Sequence, residues 1–236
     1  MELVGKAGII MELTLNQLSQ YIDHTLLKPY ASKAEMAAFC QEAIELNVKM
    51  VAINSYYTKF CKGLLKDTLI HVGAAISFPL GQTTIAIKAA ETKQAISDGA
   101  DEIDYVLNIA RVKDGDFEYI EKEMATIVKI CHEANVICKV IFENCYLTKA
   151  EIKQCALIAK AIKPDFIKTS TGFGTGGALV EDVLLMIETV EGACKVKAAG
   201  GIRDFKTVKE FLELGVERIG TSSTKKIIAQ FNEINR

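Results

Sequence analysis

A lysine inside a short β-rich run, followed at once by small polar residues and glycines, stands out in Asp165-Phe-Ile-Lys168-Thr-Ser-Thr-Gly172-Phe-Gly. That context puts Lys168 at the C-terminal end of a strand, where barrel enzymes carry out their chemistry. An amine attacks a carbonyl only when neutral, and the reference lysine pKa is about 10.4, so a neighbour must depress it. A second cation does so, because like charge disfavours protonation. Lys197, one strand further on in Lys195-Val-Lys197-Ala-Ala-Gly-Gly-Ile-Arg203, is the candidate. Adjacent strands lie about 4.8 Å apart, within reach of two inward lysines. Asp104 and Lys139 would face the pair from two earlier strands, and a carboxylate among lysines can relay protons to and from a carbon. The plainer reading makes these ordinary surface charges on misassigned strands. The four recurring in phase, with the loops that follow them, argue against it.

Three glycine- or serine-rich segments follow the last three strand-like runs: Thr171-Gly172-Phe-Gly174, Ala199-Gly200-Gly201-Ile-Arg203 and Gly220-Thr-Ser222-Ser223. Glycine lets backbone N–H groups approach an anion closely, and a helix starting after each of the last two segments adds its positive end. Loops after strands seven and eight recur as the phosphate site of barrels. A lone Gly-Gly is usually a turn; the placement of all three points to a phosphorylated substrate.

Positioning these residues takes parallel strands with helical crossovers. Thr14 caps a first helix over about residues 15–22. Strand-like runs follow at 23–27, 48–54, 70–77, 102–108, 137–144, 166–170, 195–199 and 218–221. Helical runs fall near 32–46, 56–66, 83–98, 116–134, 148–162, 179–190, 204–214 and 223–234. Ser32, Thr83, Thr148 and Asp204 stand at N-cap positions, and Gly99 and Gly215 where helices should stop. An open doubly wound sheet or a closed barrel fits this alternation. The face pattern favours the barrel. Ile103, Tyr105 and Leu107 are apolar while Glu102 and Asp104 share the opposite face; Lys139 and Glu143 likewise stand against Cys138, Val140 and Phe142. Parallel strands buried on both faces should read apolar throughout. Charge on one face of successive strands therefore points into a barrel, near its mouth. The expectation is one (β/α)8 TIM barrel over residues 14–236, with an extra N-terminal helix and a loose extension over 1–13 in which Met11 is an alternative start.

The 236 residues suit one such barrel, and half of them are hydrophobic. A formal charge of -2 leaves no basic footprint for nucleic acid and no polybasic membrane patch. No apolar run nears the ~20 residues of a membrane helix, and the N-terminus lacks a signal-peptide plan. The seven cysteines, with no C-x-x-C pair, read as free thiols in a reducing cytoplasm. His24, His71 and His132 lie far apart, so no metal site is expected; a metal-dependent enzyme would need converging ligands. His132 reads as solvated, Cys145 as a small buried thiol, and Tyr56-Tyr57 as helix packing or a subunit contact. Two further classes stay open on the residues alone: a barrel lyase or isomerase using acid–base chemistry, and a non-catalytic sugar-phosphate binder.

Asp23-His-Thr-Leu-Leu-Lys, Phe78-Pro-Leu-Gly81, Asp101-Glu-Ile-Asp104, Phe166-Ile-Lys-Thr-Ser-Thr-Gly-Phe173, Lys197-Ala-Ala-Gly-Gly-Ile-Arg203 and Arg218-Ile-Gly-Thr-Ser-Ser223 resemble, in order, the signature segments of the deoxyribose-phosphate aldolase family. The match runs from about residue 14 to the C-terminus. The resemblance implies reversible cleavage of 2-deoxy-D-ribose 5-phosphate to acetaldehyde and D-glyceraldehyde 3-phosphate by a cytoplasmic enzyme of deoxyribonucleotide catabolism, without cofactor or metal. Its partners would be phosphosugar and aldehyde substrates and further copies of itself, as a homodimer or larger. Lys168 would form the Schiff base, Lys197 would lower its pKa and Asp104 would serve the proton relay. Lys139 would hold Asp104, while Asp23 and Thr25 would line the pocket. Gly172, Gly200, Gly201, Gly220 and Ser222 would bind phosphate, with Ser223 beside them. The expected course attacks C1 and breaks the C3–C4 bond. Ala52-Ile-Asn54-Ser55 replaces the frequent Cys-Val-Asn-Pro, which predicts less thiol capture of aldehyde by-products. Ala199 removes a hydroxyl beside the phosphate loop, and the tail lacks the terminal tyrosine of some members, which bears on proton transfer.

Overall fold

The computed structural model describes residues 13–235. The expected loose extension over 1–13 lies outside that span except for Leu13, which packs against the core. Helix α1 (Leu15–Gln20) opens with the expected Thr14 cap, closed as a capping box by Gln17.

Eight parallel strands then close on themselves in chain order, β1 through β8, with β1 paired to β8. They are β1 (Ile22–Leu26), β2 (Met50–Asn54), β3 (His71–Ile76), β4 (Glu102–Val106), β5 (Ile137–Ile141), β6 (Phe166–Lys168), β7 (Lys195–Ala199) and β8 (Arg218–Thr221). The helices are α2 (Lys33–Leu46), α3 (Thr58–Leu65), α4 (Ile85–Ser97), α5 (Ile109–Lys113), α6 (Phe117–Glu133), α7 (Lys149–Ile162), α8 (Val180–Val190), α9 (Phe205–Leu214) and α10 (Thr224–Ile234). The closed barrel, not the open sheet, is the fold.

Ser32, Thr148 and Asp204 cap α2, α7 and α9 as their sequence positions implied. The cap of α4 is Thr84, not Thr83. The Thr83 hydroxyl is taken by the Ser77 hydroxyl (2.7 Å) at the end of β3, so the next threonine begins the helix. The short α5, ahead of α6, had no periodic signal. Strand β5 stops earlier than alternation suggested, because the chain turns at Glu143, whose φ is +58°, and β6 ends at Lys168 rather than Ser170.

Alternate strand residues pack outward against the helices through Ile103, Tyr105, Cys138, Val140 and Ile167, all with no exposed surface. One buried ion pair fixes the end of β4. Lys88 Nζ of α4 donates to Val106 O and to Glu123 Oε2 of α6 (both 2.7 Å). The other Glu123 oxygen accepts from the N–H of Asn108 (3.0 Å). Burial lowers the lysine's pKa and raises the glutamate's, and the contact between them opposes both shifts. This clamp holds the strand that carries Asp104.

Candidate active site

Ladder register does most of the assembly. Asp104 pairs in register with Lys139, Lys168 with Lys197, and Lys197 with Arg218. Register partners on neighbouring parallel strands share a face, so these side chains meet inside the barrel. Small neighbours leave the space. A Cβ at Gly220 would stand 2.9 Å from Ala199 Cβ and 3.2 Å from Lys197 Cε, so only glycine there leaves the lysine stem its path.

The amines of Lys168 and Lys197 donate to the same oxygen, Asp104 Oδ2, at 2.8 and 2.7 Å. Lys139 donates to Asp104 Oδ1 at 2.7 Å and pairs closely with Glu102. Lys197 also lies 2.5 Å from Asp23 Oδ2. Below them Arg218 spans Asp23 (Nε to Oδ1, 2.7 Å) and Glu102 (Nη2 to both oxygens, 2.9 Å). All seven side chains are buried. Sequence reasoning placed Asp104, Lys139, Lys168 and Lys197 together, and the structure brings all four into contact. It put Glu102 on the inward face with Asp104 but gave it no role, and it did not place Arg218 in the cluster. The available signal was Glu102, in phase with Asp104 two residues on, and Arg218, which opens β8.

Burial by itself would raise the Asp104 carboxyl, but Lys139, Lys168 and Lys197 outweigh it and hold Asp104 well below the usual carboxylate range. Glu102 and Asp23 are lowered in the same way against burial. Burial opposes Lys139 too, yet Asp104, Glu102 and Asp23 raise it above the ordinary lysine value. Lys197 goes the other way, to about 8: burial dominates, Asp104 and Asp23 oppose it, and Lys168 and Lys139 reinforce it. The residue expected to depress another amine is thus itself depressed.

Above the cluster opens a cavity of about 280 Å³. Lys168 reaches into it, and Thr25, Gly172, Gly200, Gly201, Gly220 and Ser222 line it. Lys28, Phe173 and Arg203 join the wall; the two cations were not singled out, although each ends a segment that the sequence highlighted. Ser223 is not on the wall. It precedes α10, with its N–H on the Thr221 hydroxyl (2.9 Å). Asp23 is not on the wall either: it is wholly buried beneath, because its carboxylate is held by Arg218 and Lys197. Thr25 donates to the Asp23 carbonyl (2.9 Å). Glu143 was expected on a strand face. It sits instead in the turn after β5, buried, accepting from the N–H of Thr171 (3.1 Å) and, through a short contact, from its hydroxyl. It thereby pins the loop that carries Gly172.

The histidines are apart. His24 is buried against Phe39 (4.2 Å, stacked), with burial lowering its pKa to about 4. His71 Nδ1 lies 2.6 Å from Glu102 Oε1. His132, expected to be solvated, is half-exposed and pairs with Asp165 (3.0 Å). Cys145 is partly exposed, 3.8 Å from Glu143 Oε1, outside the cavity wall. Tyr56 is exposed, while Tyr57, in the turn before α3, donates its hydroxyl to the loop carbonyl of Ala31 (2.9 Å) and packs against the core.

The family model for DeoC/LacD family aldolases matches residues 18–228. The chain is 54% identical over 217 residues to the deoxyribose-phosphate aldolase of Lactobacillus acidophilus, covering 92% of both chains. It is 49% identical over 215 residues to that of Thermococcus kodakarensis, covering 90% of this chain and 96% of the other. Among solved structures, the tetrameric deoxyribose phosphate aldolase of Aeropyrum pernix superposes with a TM-score of 0.89 at 26% identity, covering 99% of this chain and 98% of that one. With a closed eight-stranded barrel carrying a buried lysine cluster beneath its mouth, and with matches of this extent, the chain belongs to the DeoC/LacD family of aldolases.

Proposed function

We propose that this chain is a deoxyribose-phosphate aldolase that cleaves 2-deoxy-D-ribose 5-phosphate reversibly through a Schiff base on Lys168. The observation that carries this reading is the sharing of Asp104 Oδ2 by two lysine amines, one of them at the floor of an open cavity. A proton can move between the amines through that oxygen, leaving Lys168 neutral for attack on the C1 aldehyde. The glycine- and serine-lined end of the cavity, with Lys28 and Arg203, suits the phosphate.

Loss of water from the first adduct gives a protonated imine at C1. The bond that then breaks is C2–C3, not the C3–C4 bond first expected. Acetaldehyde keeps C1 and C2, and glyceraldehyde 3-phosphate takes the other three carbons. Only the bond beyond C2 sends its electron pair into the imine. The C3 hydroxyl gives up its proton to the water beside Asp104 as the new aldehyde forms. The resulting enamine takes a proton at C2 through Asp104 and a water molecule, and hydrolysis returns the Lys168 amine with acetaldehyde. The imine is the electron sink, so the route calls for no metal or cofactor. Lys197 exchanges the proton with Asp104, and Lys139 orients that carboxylate. The seven free cysteines suit work in a reducing cytoplasm, and an assembly of two or more copies suits the likeness to a tetrameric relative.

Borohydride reduction in the presence of 2-deoxyribose 5-phosphate, followed by peptide mass spectrometry, tests the reading. A reduced adduct on the peptide holding Lys168, absent without substrate, is expected. Lys168→Arg should form none and turn nothing over, because guanidinium stays protonated. Folded protein that yields no adduct at any pH would move the assignment to acid–base chemistry or simple binding.

A further inference from the structure

We propose that Glu102 and Arg218 are positioning residues that set how many lysines of the buried cluster hold a proton. The inference rests on the aldolase reading and deepens it. Neither residue lines the cavity. Both are buried, joined by paired 2.9 Å contacts, one layer beneath the lysine pair.

The cluster can be counted strand by strand. Its carboxylates are Asp23 on β1 and Glu102 and Asp104 on β4; its cations are Lys139 on β5, Lys168 on β6, Lys197 on β7 and Arg218 on β8. Strand β2 contributes no charge, only Met50 Sδ, 3.2 Å from the Lys139 amine. Fully ionised, four cations would face three carboxylates in a buried cluster. An unmatched buried charge is costly, and the inexpensive remedy is loss of one proton. Arg218 cannot supply it, since guanidinium does not deprotonate in proteins. Lys139 is held charged between Asp104 and Glu102. The missing proton therefore falls within the Lys168–Lys197 pair, whose amines share one oxygen.

Four further ionisable groups border the cluster. His71 on β3 touches Glu102 from the half-exposed end. Glu143 faces Lys168 from the turn after β5; burial holds its carboxyl above the ordinary range, and it makes no ion pair with the cluster among the described residues. Lys28 and Arg203 stand at the exposed mouth.

A purely structural role for Glu102 and Arg218 would make both substitutions harmful in the same way, with an unchanged pH profile. Charge counting predicts opposite shifts. Glu102→Gln leaves two carboxylates against four cations, so the pair should lose protons more readily. Arg218→Met leaves three against three, so no amine is pressed to be neutral. The double variant restores an excess of one.

The experiment measures the acid limb of kcat/KM for 2-deoxyribose 5-phosphate, and of borohydride trapping at Lys168, across pH. Glu102→Gln should move the limb down by ~1 pH unit or more and Arg218→Met up by a similar amount. The double variant should return to within about half a unit of the parent. Two single variants that shift together, or not at all, or a double variant that fails to return, would overturn the proposal. If the variants do not fold, ¹⁵Nζ NMR of the unmodified protein reads the same count: one neutral amine among the three buried cluster lysines near pH 8 is expected, and three ammonium signals overturn it. Parent protein that forms no adduct at Lys168 strikes the aldolase reading instead, and the NMR count still decides the charge inference.

Discussion

Two amines on one carboxylate oxygen make Asp104 the hinge of the site at the scale of single residues. Lys197 is the group whose ionisation lies near the working range, at about 8, because burial outweighs its two carboxylate neighbours. Replacing it by leucine removes one cation from a cluster that holds one too many. The remaining amines should then keep their protons more tightly, and the acid limb of kcat/KM should move to higher pH. The loss of proton exchange should lower kcat ~100-fold or more. A Lys197→Leu enzyme with reduced turnover and an unmoved limb would contradict this role while leaving Lys168 as nucleophile. Sequence alone made Lys197 the agent of a depressed pKa. The depth of its burial, which makes it the depressed group as well, depends on closure of the barrel around it.

Elements carry the site by register and by their ends. The β6–β7 ladder puts Lys168 and Lys197 side by side, and the Glu143 turn fixes the loop with Gly172. The seam where the barrel closes depends on β1, whose His24 stacks on Phe39 of α2 and meets Thr224 of α10 at 2.8 Å. Its pKa, lowered to about 4 mainly by burial, makes this seam pH-sensitive. The sign follows from linkage. Between pH 6.5 and 4 the unfolded chain binds a proton at His24 that the native protein refuses, so stability falls as pH falls through that window. The full loss is about 3 kcal/mol. His24→Gln should be less stable than the parent at pH 7, for want of the stack, yet decline less steeply from pH 6.5 to 4 in urea melts. Equal slopes for the two proteins would remove His24 as the sensor. The caps on α2, α7 and α9 were legible as Ser32, Thr148 and Asp204 because a cap is local chemistry. The cap on α4 was misplaced by one residue because a tertiary contact from Ser77 claims the first of two threonines.

For the whole molecule, the barrel converts dispersed charges into one neutralised interior lattice and leaves apolar side chains on its outside. Tyr30, Tyr56, Leu69 and Leu80 are among the large apolar residues that stay exposed on this single chain. The assembly of two or more copies proposed above would have surface of this kind to cover. Analytical ultracentrifugation at micromolar concentration should give a mass of at least twice the 25.9 kDa protomer. A stable 25.9 kDa species that retains activity would make the lone barrel sufficient. No described helix is long and apolar enough to cross a membrane.

The amino-acid sequence by itself determined the alternation of strands and helices, the inward face of β4 to β7, and the glycine-rich loops after β6, β7 and β8. Each of these is written in local periodicity and in residue types that suit only a few backbone states. It also carried Lys168, Asp104, Lys139 and Lys197 as a set, because charges in phase on buried strands must converge to neutralise one another. Only the tertiary structure decided which contacts those residues make. Glu102 and Arg218 lie 116 positions apart, and Asp23 and Arg218 lie 195 apart. No local pattern pairs them; closing β8 against β1 does. The same closure took Asp23 off the cavity wall and into the lattice beneath it, and left Ser223 behind the loop. Ion pairing, burial and charge count are properties of positions in space, and the chain acquires them only when the eighth strand meets the first.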